Sequence, residues 1–441
     1  MNTKEKINAS SASNGTETFL STGESFADGA MIELISGSSK PNKPNLLLWK
    51  GRKVKVGPRV EHGGCIYEAP QLDPILWRAM RLPAGCCDYG SARALFDGIR
   101  DLFQRHLGLP ESESGLLACF VISTWLADRL PTAPNLTISG PDEERGIDVL
   151  RLLSCVCRHP LMLAELTPGS FRSLPMQLSL TLLLDQHRLR PNVQRLLRAS
   201  SYPGMLLPGN RGCLVDLYGP KAIFCGKDSA VDTLSGGVIQ ISVAPSQLQS
   251  ALDPQVKNEI ATRFQPHLLM YRLKNSGKVG QSRVDVSKFA FATRQLACTL
   301  AACFPEDSEL ARDTLDLLRP QDDEVRGQHS RDINCAIVTI LWGFLHEQKE
   351  REVRVDELAK DVNKFLRDRG EIREYSAEEL GWKLRDLNIP RHNSSSGRHV
   401  LLERDTSQSV HRLARVYDLP CLQSAQTGCP DCSQLKTTIS K

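Results

Sequence analysis

The sequence predicts an α/β protein built around a parallel β-sheet. From Leu136 onward, strand-like and helix-like segments alternate along the chain. The strands are continuously apolar, as in Leu178–Leu184, Lys221–Cys225 and Val238–Val243. Strands of this kind, separated by helices, are typical of a parallel sheet that is covered on both faces. From Pro254 onward the pattern is mainly helical.

The composition is that of an ordinary soluble protein of 441 residues, 41% apolar and 24% charged, which is long enough for two or three domains. The net charge of +4 is too small to indicate nucleic-acid binding by itself. The fourteen cysteines are scattered, which favours reduced thiols over a disulfide framework. No apolar run approaches the ~18 residues of a membrane span, and no secretory signal pattern is present. We therefore expect a cytoplasmic protein without a membrane partner.

Before the sheet, the first residues are predicted to be disordered and the residues from Leu46 onward to be structured. Residues 1–42 are rich in Ser, Thr, Asn and Gly, so we expect them to be mostly disordered. Leu46–Tyr67 alternates apolar and polar residues around turn glycines, which predicts a small β-hairpin or meander. Two amphipathic helices are expected next, at Ser91–His106 and Glu113–Leu130.

The segment NLTISGPDEERGIDVLRLL has the layout of a phosphate-binding loop: a strand, Gly140, a short turn, and a helix expected to open near Ile147. In a working loop, GxxxxGK[ST], backbone N–H groups and the Lys bind phosphates and the Ser/Thr holds Mg²⁺. Here Gly146 occupies the Lys position and Ile147 the Ser/Thr position. The turn also contains three acidic residues, Asp142, Glu143 and Glu144. Their charge would repel a triphosphate, so a degenerate nucleotide-binding loop is predicted.

The segment TLLLDQ resembles the second ATPase signature, an apolar strand that ends in an acid. It places Asp185 where Mg²⁺ would be held and Gln186 where a catalytic base would stand. A glutamine cannot accept a proton, so a bound ATP–Mg²⁺ would be hydrolysed slowly or not at all. The alternative is a plain α/β domain in which Asp185 caps the next turn.

After the sheet, helices are predicted at 254–272, 286–303, 308–319 and 332–348, and we expect 251–330 to form a helical lid. Residues 271–296 hold six Lys or Arg residues against one acid, Asp285. This excess predicts either a patch that gathers phosphate oxygens of a nucleic acid or a solvated connection between domains.

The residues from Ile333 to Leu419 contain the best-formed binding motif. An apolar helix is followed by a second helix that stops at Gly370, and a third opens with the capping box of Ser376 and Glu379. The polar hairpin RHNSSSGRHVLLER comes next, so the order predicts a winged helix. From Arg354 to Arg404 there are eleven Lys/Arg and ten Asp/Glu, so strong unspecific DNA binding is not expected. The candidate DNA contacts are Lys383, Arg385, Arg391 and Arg398. A protein–protein module is the alternative.

The tail contains Cys421, Cys429 and Cys432, and its CPDC resembles a zinc knuckle. A closed zinc site needs four ligands, and His411 could supply the fourth. Unpaired reduced thiols are the alternative.

GPDEERG, TLLLDQ, YGPKAIF and GWKLRDL together resemble a bacterial P-loop NTPase-like family with degenerate Walker motifs, related to the primase–helicase ATPases of phages and mobile elements. The resemblance covers roughly residues 70–420. It implies a nucleotide-binding-like core, a helical lid and a C-terminal domain that faces DNA. Gly140 and Asp185 match the two signatures, while Gly146, Ile147 and Gln186 depart from them, which puts ATP hydrolysis and helicase action in doubt.

The predicted function is that of a DNA-associated accessory or regulatory protein of a mobile element or phage remnant, with little or no ATP hydrolysis. The partners expected are DNA and either a second copy of the chain or a replication or mobilisation protein. The alternatives are a weak, ring-forming ATPase and a winged-helix transcription regulator whose core serves for dimerisation. The expected domains are 1–42 (tail), 43–130 (β-hairpin and helices), 131–250 (core), 251–330 (lid), 331–420 (winged helix) and 421–441 (Cys-containing tail).

Overall fold

The computed structural model describes residues 17–37, 43–51, 53–186, 189–208, 214–226, 237–245, 252–280, 284–348, 351–395, 397–419, 429 and 431–432. The chain divides into two compact units. The first comprises residues 1–284 and 296–318, and the second comprises 285–295 and 319–441.

The first unit begins with seven short strands in two sheets. They are β1 Thr18–Leu20, β2 Gly23–Ser25, β3 Met31–Ile35, β4 Asn45–Lys50, β5 Lys53–Gly57, β6 Arg59–His62 and β7 Cys65–Glu68. Their orders are β1-β7-β6 and β2-β3-β4-β5. The strands β4–β7 confirm the predicted hairpin or meander. The prediction of disorder was wrong for residues 17–37, because β3 is buried along its whole length and pairs with the apolar β4.

Three helices lead to the central sheet: α1 Pro74–Ala79, α2 Ala92–Leu107 and α3 Glu111–Leu126. The hydroxyl of Ser91 caps α2 by accepting the N–H of Ala94, and α2 ends at Gly108 in a left-handed conformation (φ 55°). The next helix, α3, is buried from Ser114 to Leu126, which agrees with the mainly apolar sequence after its polar first turn.

The central sheet has five parallel strands in the order β14-β8-β13-β10-β9, which confirms the α/β prediction. A separate antiparallel pair is formed by β11 and β12. The elements of this region are β8 Asn135–Ser139, α4 Glu143–Val156, β9 Pro160–Leu163, α5 Pro168–Arg172, β10 Thr181–Asp185, α6 Pro191–Ala199, β11 Leu206–Pro208, β12 Leu214–Asp216, β13 Lys221–Phe224 and β14 Val238–Ser242.

The two faces of this sheet are covered by different elements. On one face, Leu182 and Leu184 of β10 pack in one apolar cluster with α6 and with the N-terminal strands, including Ile32 and Tyr67. Because side chains alternate along a strand, Leu183 points to the other face. The helix α4 lies on that second face, where it contacts β9, β10 and β13 and where its Gly146 faces Phe224.

Three long helices follow: α7 Pro254–Asn275, α8 Phe291–Ala301 and α9 Ser308–Arg331. The sequence predicts a helix at 308–319, just before Pro320, which lacks a backbone donor. That end was wrong, since α9 continues through Pro320 to Arg331. Beyond the proline, Asp322 accepts the N–H of Ala290 (2.9 Å), which ties this part of α9 to its neighbour. Within the described residues, no helix is long and apolar enough to cross a membrane.

The second unit contains the helices and the hairpin that the sequence predicts there. They are α10 Ile333–Gly343, β15 Glu352–Arg354, α11 Val355–Asp368, α12 Ala377–Asp386, β16 His392–Ser394, β17 Gly397–Leu401 and α13 Arg404–Val416. The strands form an antiparallel sheet in the order β15-β17-β16. The capping box of Ser376 and Glu379 opens α12 as predicted, and the helices share one apolar core.

Candidate functional site

The carboxyl ends of the parallel strands bring the two predicted signatures to one edge of the sheet. Asp185 is in register with Phe224, which is in register with Ile138, two residues before Gly140. One strand, β13, separates β8 from β10, so the strand ends are about 10 Å apart. The chain runs from β8 to the edge strand β9, returns through β10 and β13, and then passes β8 to reach β14. Ligands of open α/β sheets bind at the carboxyl ends of the strands, where the strand order reverses.

Gly140 serves the packing of this edge. A Cβ atom there would lie 2.2 Å from the carbonyl oxygen of Val243, so only glycine fits beside the end of β14. The N–H of Gly140 donates to the carbonyl of Gly226 (3.3 Å). This amide is therefore engaged within the protein, whereas a phosphate-binding loop directs its amides at the ligand.

The turn after Gly140 is shorter than a phosphate-binding loop. We expected the helix to open near Ile147, but α4 begins at Glu143. The reason is Asp142, whose carboxylate caps the helix by accepting the N–H of Arg145 (3.1 Å). A carboxylate of the chain thus stands where a helix N-terminus would otherwise offer its amides to an anion.

Gly146, which the sequence pattern places at the lysine position of a phosphate-binding loop, lies inside α4 against the sheet. A Cβ atom at Gly146 would lie 2.3 Å from the ring of Phe224 on β13. The neighbouring Arg145 is also turned inward, where its guanidinium donates to the carbonyl of Leu107. In this arrangement a side chain at 146 would collide with the sheet before it could reach a phosphate.

Gln186 is buried and holds the segment that follows β9. Its side-chain oxygen accepts the N–H of Leu166 (3.0 Å), and its backbone N–H donates to Phe224 (3.0 Å). Asp185, beside it, is partly buried. The pair therefore ends β10 with one carboxylate and one amide that is fixed by hydrogen bonds.

A buried lysine lies at the other end of the parallel strands, where their amino ends are. Lys221 begins β13, and its Nζ donates to the carbonyls of Ser200 (3.1 Å) and Gly219 (2.5 Å). Burial lowers the pKa of Lys221 to about 7. Because it sits at the amino end of its strand, it cannot replace the missing lysine near Gly140.

Three of the six cations in the basic excess predicted at 271–296 are paired with acids. Arg272 is 2% exposed, and its guanidinium donates to Glu33 (2.6 Å) and Asp128 (3.0 Å). Lys274 forms an ion pair with Asp88, and Lys278 forms one with Glu306. Arg283 lies outside the described residues. The prediction of a phosphate-gathering patch was therefore wrong for the first three cations.

The buried cluster around Glu33 joins distant parts of the first unit. Its carboxylate also accepts a hydrogen bond from Arg158 (2.9 Å). Burial by itself would raise the pKa of Glu33, but the charges of Arg158 and Arg272 hold that pKa below its ordinary value. This carboxylate is therefore ionised at neutral pH, and sequence patterns gave no sign of the cluster.

In the second unit, α12 and the hairpin β16–β17 present cations on one surface. The Arg391 guanidinium lies against Gly381 of α12, at 2.7 Å from the position of a Cβ there, and that of Arg398 lies at 3.9 Å. Arg385, four residues after Gly381, is exposed on the same helix face. The side chain of Lys383 is partly buried. Arg385 and Arg391 also line a groove of about 410 Å³.

Two histidines and two cysteines of the second unit form a compact cluster: His346, His411, Cys429 and Cys432. One ligand atom from each lies within 4.8 Å of the others, so these residues could hold a metal ion. His411 lies beside the CPDC cysteines, where the sequence suggested a fourth ligand. His346 was missed, because nothing in the sequence links it to a tail 86 residues away. The predicted ligand Cys421 lies outside the described residues.

Comparison with known proteins gives distant structural likeness only. No family model and no curated relative matches the chain. The chain is similar to the apo NrS-1 C-terminal region (10% identity, TM-score 0.32, covering 84% of this chain and 97% of that chain). It is also similar to a full-length MCM homologue from Methanopyrus kandleri (10%, 0.33, 65% and 77%) and to Drosophila ORC bound to DNA (13%, 0.20, 76% and 96%). These TM-scores are low, so neither fold nor function is transferred from those proteins.

Proposed function

We propose that the chain is a DNA-associated protein whose nucleotide-binding-like core hydrolyses little or no ATP. In this proposal the core is a degenerate P-loop domain, residues 251–330 are its lid, and the C-terminal module is a winged helix that contacts DNA. Its role is accessory or regulatory in the DNA transactions of a mobile element. The observation that carries the proposal is the set of arginines gathered on α12 and the hairpin.

The order of elements in the second unit supports the winged-helix assignment. Three helices, α10, α11 and α12, precede the hairpin β16–β17, and β15 adds a third strand to it. In a winged helix the third of these helices enters the major groove and the hairpin contacts the backbone beside it. By this assignment, Lys383 and Arg385 approach the groove, while Arg391 and Arg398 approach phosphates.

The ion pairing of the arginines supports a role in DNA contact over a purely structural role. Within the described part of the chain, Arg385, Arg391 and Arg398 have no carboxylate partner within 4.0 Å, whereas Arg354 and Arg367 pair with Asp356 and Glu374. Asp405 lines the same groove as Arg385 and Arg391 without forming an ion pair with either within the described residues. Cations that are not held in ion pairs can release counterions from a duplex when they meet phosphates. Trp382, 51% exposed beside them, adds an apolar surface.

The residues at the sheet edge support a core without efficient hydrolysis. Among the residues described there, Gly146 packs on Phe224, Asp142 caps α4, and Gln186 stands in the position of the base. These residues do not fit a triphosphate, because the loop offers carboxylates where a cation is needed.

The test of DNA contact is a duplex-binding titration of the full chain at several salt concentrations. We expect the double variant Arg391→Ala, Arg398→Ala to weaken binding. The slope of log K against log salt should also become shallower, by about 0.9 for each phosphate that the variant no longer neutralises.

The matched control is Arg354→Ala with Arg367→Ala, which removes the same charge from paired arginines in the same unit. The proposal is wrong if the wild-type chain binds no duplex at low salt, or if both double variants weaken binding equally. Tight binding to one palindromic site would instead favour a transcription regulator.

A further inference from the structure

We propose that His346, His411, Cys429 and Cys432 form a closed structural zinc site that fastens the C-terminal tail to the second unit. The ligands come from three places in the chain: the π-helical segment Phe344–Gln348 that continues α10, the helix α13, and the CPDC segment. This site is independent of the DNA and nucleotide proposals.

Three nitrogen–sulfur distances within the cluster agree with tetrahedral coordination, and all four ligand atoms lie within 4.8 Å of one another. The Nε2 of His411 lies 3.3 Å from the Sγ of Cys432 and 3.5 Å from that of Cys429. The Nε2 of His346 lies 3.3 Å from the Sγ of Cys432. Zn–S bonds of about 2.3 Å and Zn–N bonds of about 2.0–2.1 Å at tetrahedral angles place nitrogen and sulfur about 3.5 Å apart.

The hydrogen bonds of both imidazoles leave the correct nitrogen facing the cluster. The Nδ1 of His346 lies 3.1 Å from the carbonyl oxygen of Trp342, and that of His411 lies 2.7 Å from the carbonyl oxygen of Ser407. A carbonyl only accepts, so each Nδ1 carries the proton and each Nε2 presents a lone pair. Histidines that ligate metals are oriented by such hydrogen bonds.

The surroundings of the cluster favour a structural site. Cys432, His411 and His346 are buried, and Cys432 belongs to the apolar core of the unit. Trp342 stacks on His346 with ring centroids 4.2 Å apart. Four protein ligands leave no open position for a substrate.

Charge and ligand type favour Zn²⁺ as the ion. Two thiolates balance the charge of Zn²⁺, so the buried site is neutral, and the two thiol protons pass to solvent on binding. Two thiolates with two imidazoles are a common structural zinc set. Beside them, Asp431 accepts a hydrogen bond from Ser407 of α13 (2.7 Å), which holds the CPDC segment in place.

The test is the metal content of the full chain, purified under reducing conditions, together with the absorption spectrum after exchange with Co²⁺. We expect one zinc per chain and a tetrahedral Co²⁺ spectrum with thiolate charge-transfer bands. His346→Ala and Cys432→Ser should abolish stoichiometric binding. His346→Cys should retain the metal and shift the Co²⁺ spectrum towards three thiolates, which separates loss of a ligand from loss of folding.

The controls are Cys87→Ser, at an exposed cysteine elsewhere, and Cys421→Ser, at the remaining cysteine of the tail. Both should retain one zinc. The proposal is overturned if the reduced wild-type chain takes up neither Zn²⁺ nor Co²⁺, or if Cys429 and Cys432 form a disulfide instead. It is also overturned if Cys421→Ser loses the metal while His346→Ala keeps it.

Discussion

At the scale of single residues, Glu33 shows how one buried charge connects distant segments. Glu33 lies on β3. Its partner Arg158 follows α4, and its partner Arg272 lies on α7. A buried carboxylate is tolerated only when its oxygens are paired and hydrogen-bonded. Here both oxygens accept from a guanidinium, and Arg272 reaches Asp128 as well. This cluster is why an arginine that resembles a phosphate ligand in the sequence is structural.

Removing this charge should destabilise the first unit. Because Glu33→Gln leaves two buried guanidiniums with one carboxylate fewer, we expect a loss of about 3–5 kcal/mol in the free energy of unfolding at neutral pH. Urea unfolding of the full chain measures it. Glu61→Gln, at an exposed position on β6, is the control and should change little. Equal effects of the two variants would contradict the structural role of Glu33.

The same cluster predicts how the free energy of unfolding changes with pH. Since the pKa of Glu33 is lowered in the folded chain, its stabilisation is complete above the ordinary value of 4.5 and is lost as the pH falls through the folded pKa. Unfolding free energies between neutral pH and pH values below 4.5 should therefore fall more steeply for the wild type than for Glu33→Gln. Parallel pH profiles would show that this carboxylate does not contribute.

At the scale of elements, the contact of α4 with β13 determines whether a side chain after the Gly140 turn has room to reach a phosphate. The sequence predicts the strand, the glycine and the helix correctly, because apolar runs and glycine are local signals. We missed that α4 begins at Glu143, although the Asp142 cap is a local signal. The sequence could not show that Gly146 faces Phe224, because that contact depends on how closely the helix packs on a strand about eighty residues later.

This packing can be tested at Gly146. Alanine normally stabilises a helix interior relative to glycine, but at 146 the added Cβ meets the Phe224 ring. We expect Gly146→Ala to destabilise the fold by about 1–3 kcal/mol, measured by thermal or urea unfolding. Gly169→Ala in α5, where a Cβ meets no atom within 4 Å, should be neutral or mildly stabilising. A stabilised Gly146→Ala variant would show that the helix stands away from the sheet.

The helices and turns of the second unit were easier to predict from the sequence than those of the first. Its caps and helix ends are encoded locally, as in Ser376 with Glu379 and in the left-handed Gly370. What could not be read was the meeting of His346 with Cys432, since contacts over such a separation leave no periodic signal. An isolated histidine after the apolar helix α10 was the only hint.

At the scale of the whole molecule, the proposed function rests on two features: the carboxylates at the sheet edge of the first unit and the arginines on α12 and the hairpin of the second unit. Each rests on separate residues, so each can be tested alone. The parallel sheet was predictable because its strands are short, apolar and separated by helices. The N-terminal sheets were only partly predictable, because β1–β3 lie in a segment whose overall composition resembles disorder.

The most direct test of a core without efficient hydrolysis is ATP turnover by the purified full chain, with Mg²⁺, in the presence and absence of duplex DNA. We predict turnover no higher than that of Asp185→Ala under every condition. In the described residues, Gly146 packs on Phe224 where a phosphate-binding lysine is expected, and Gln186 stands where the catalytic base is expected. Brisk, Mg²⁺-dependent hydrolysis by the wild type that is lost in Asp185→Ala would contradict this prediction.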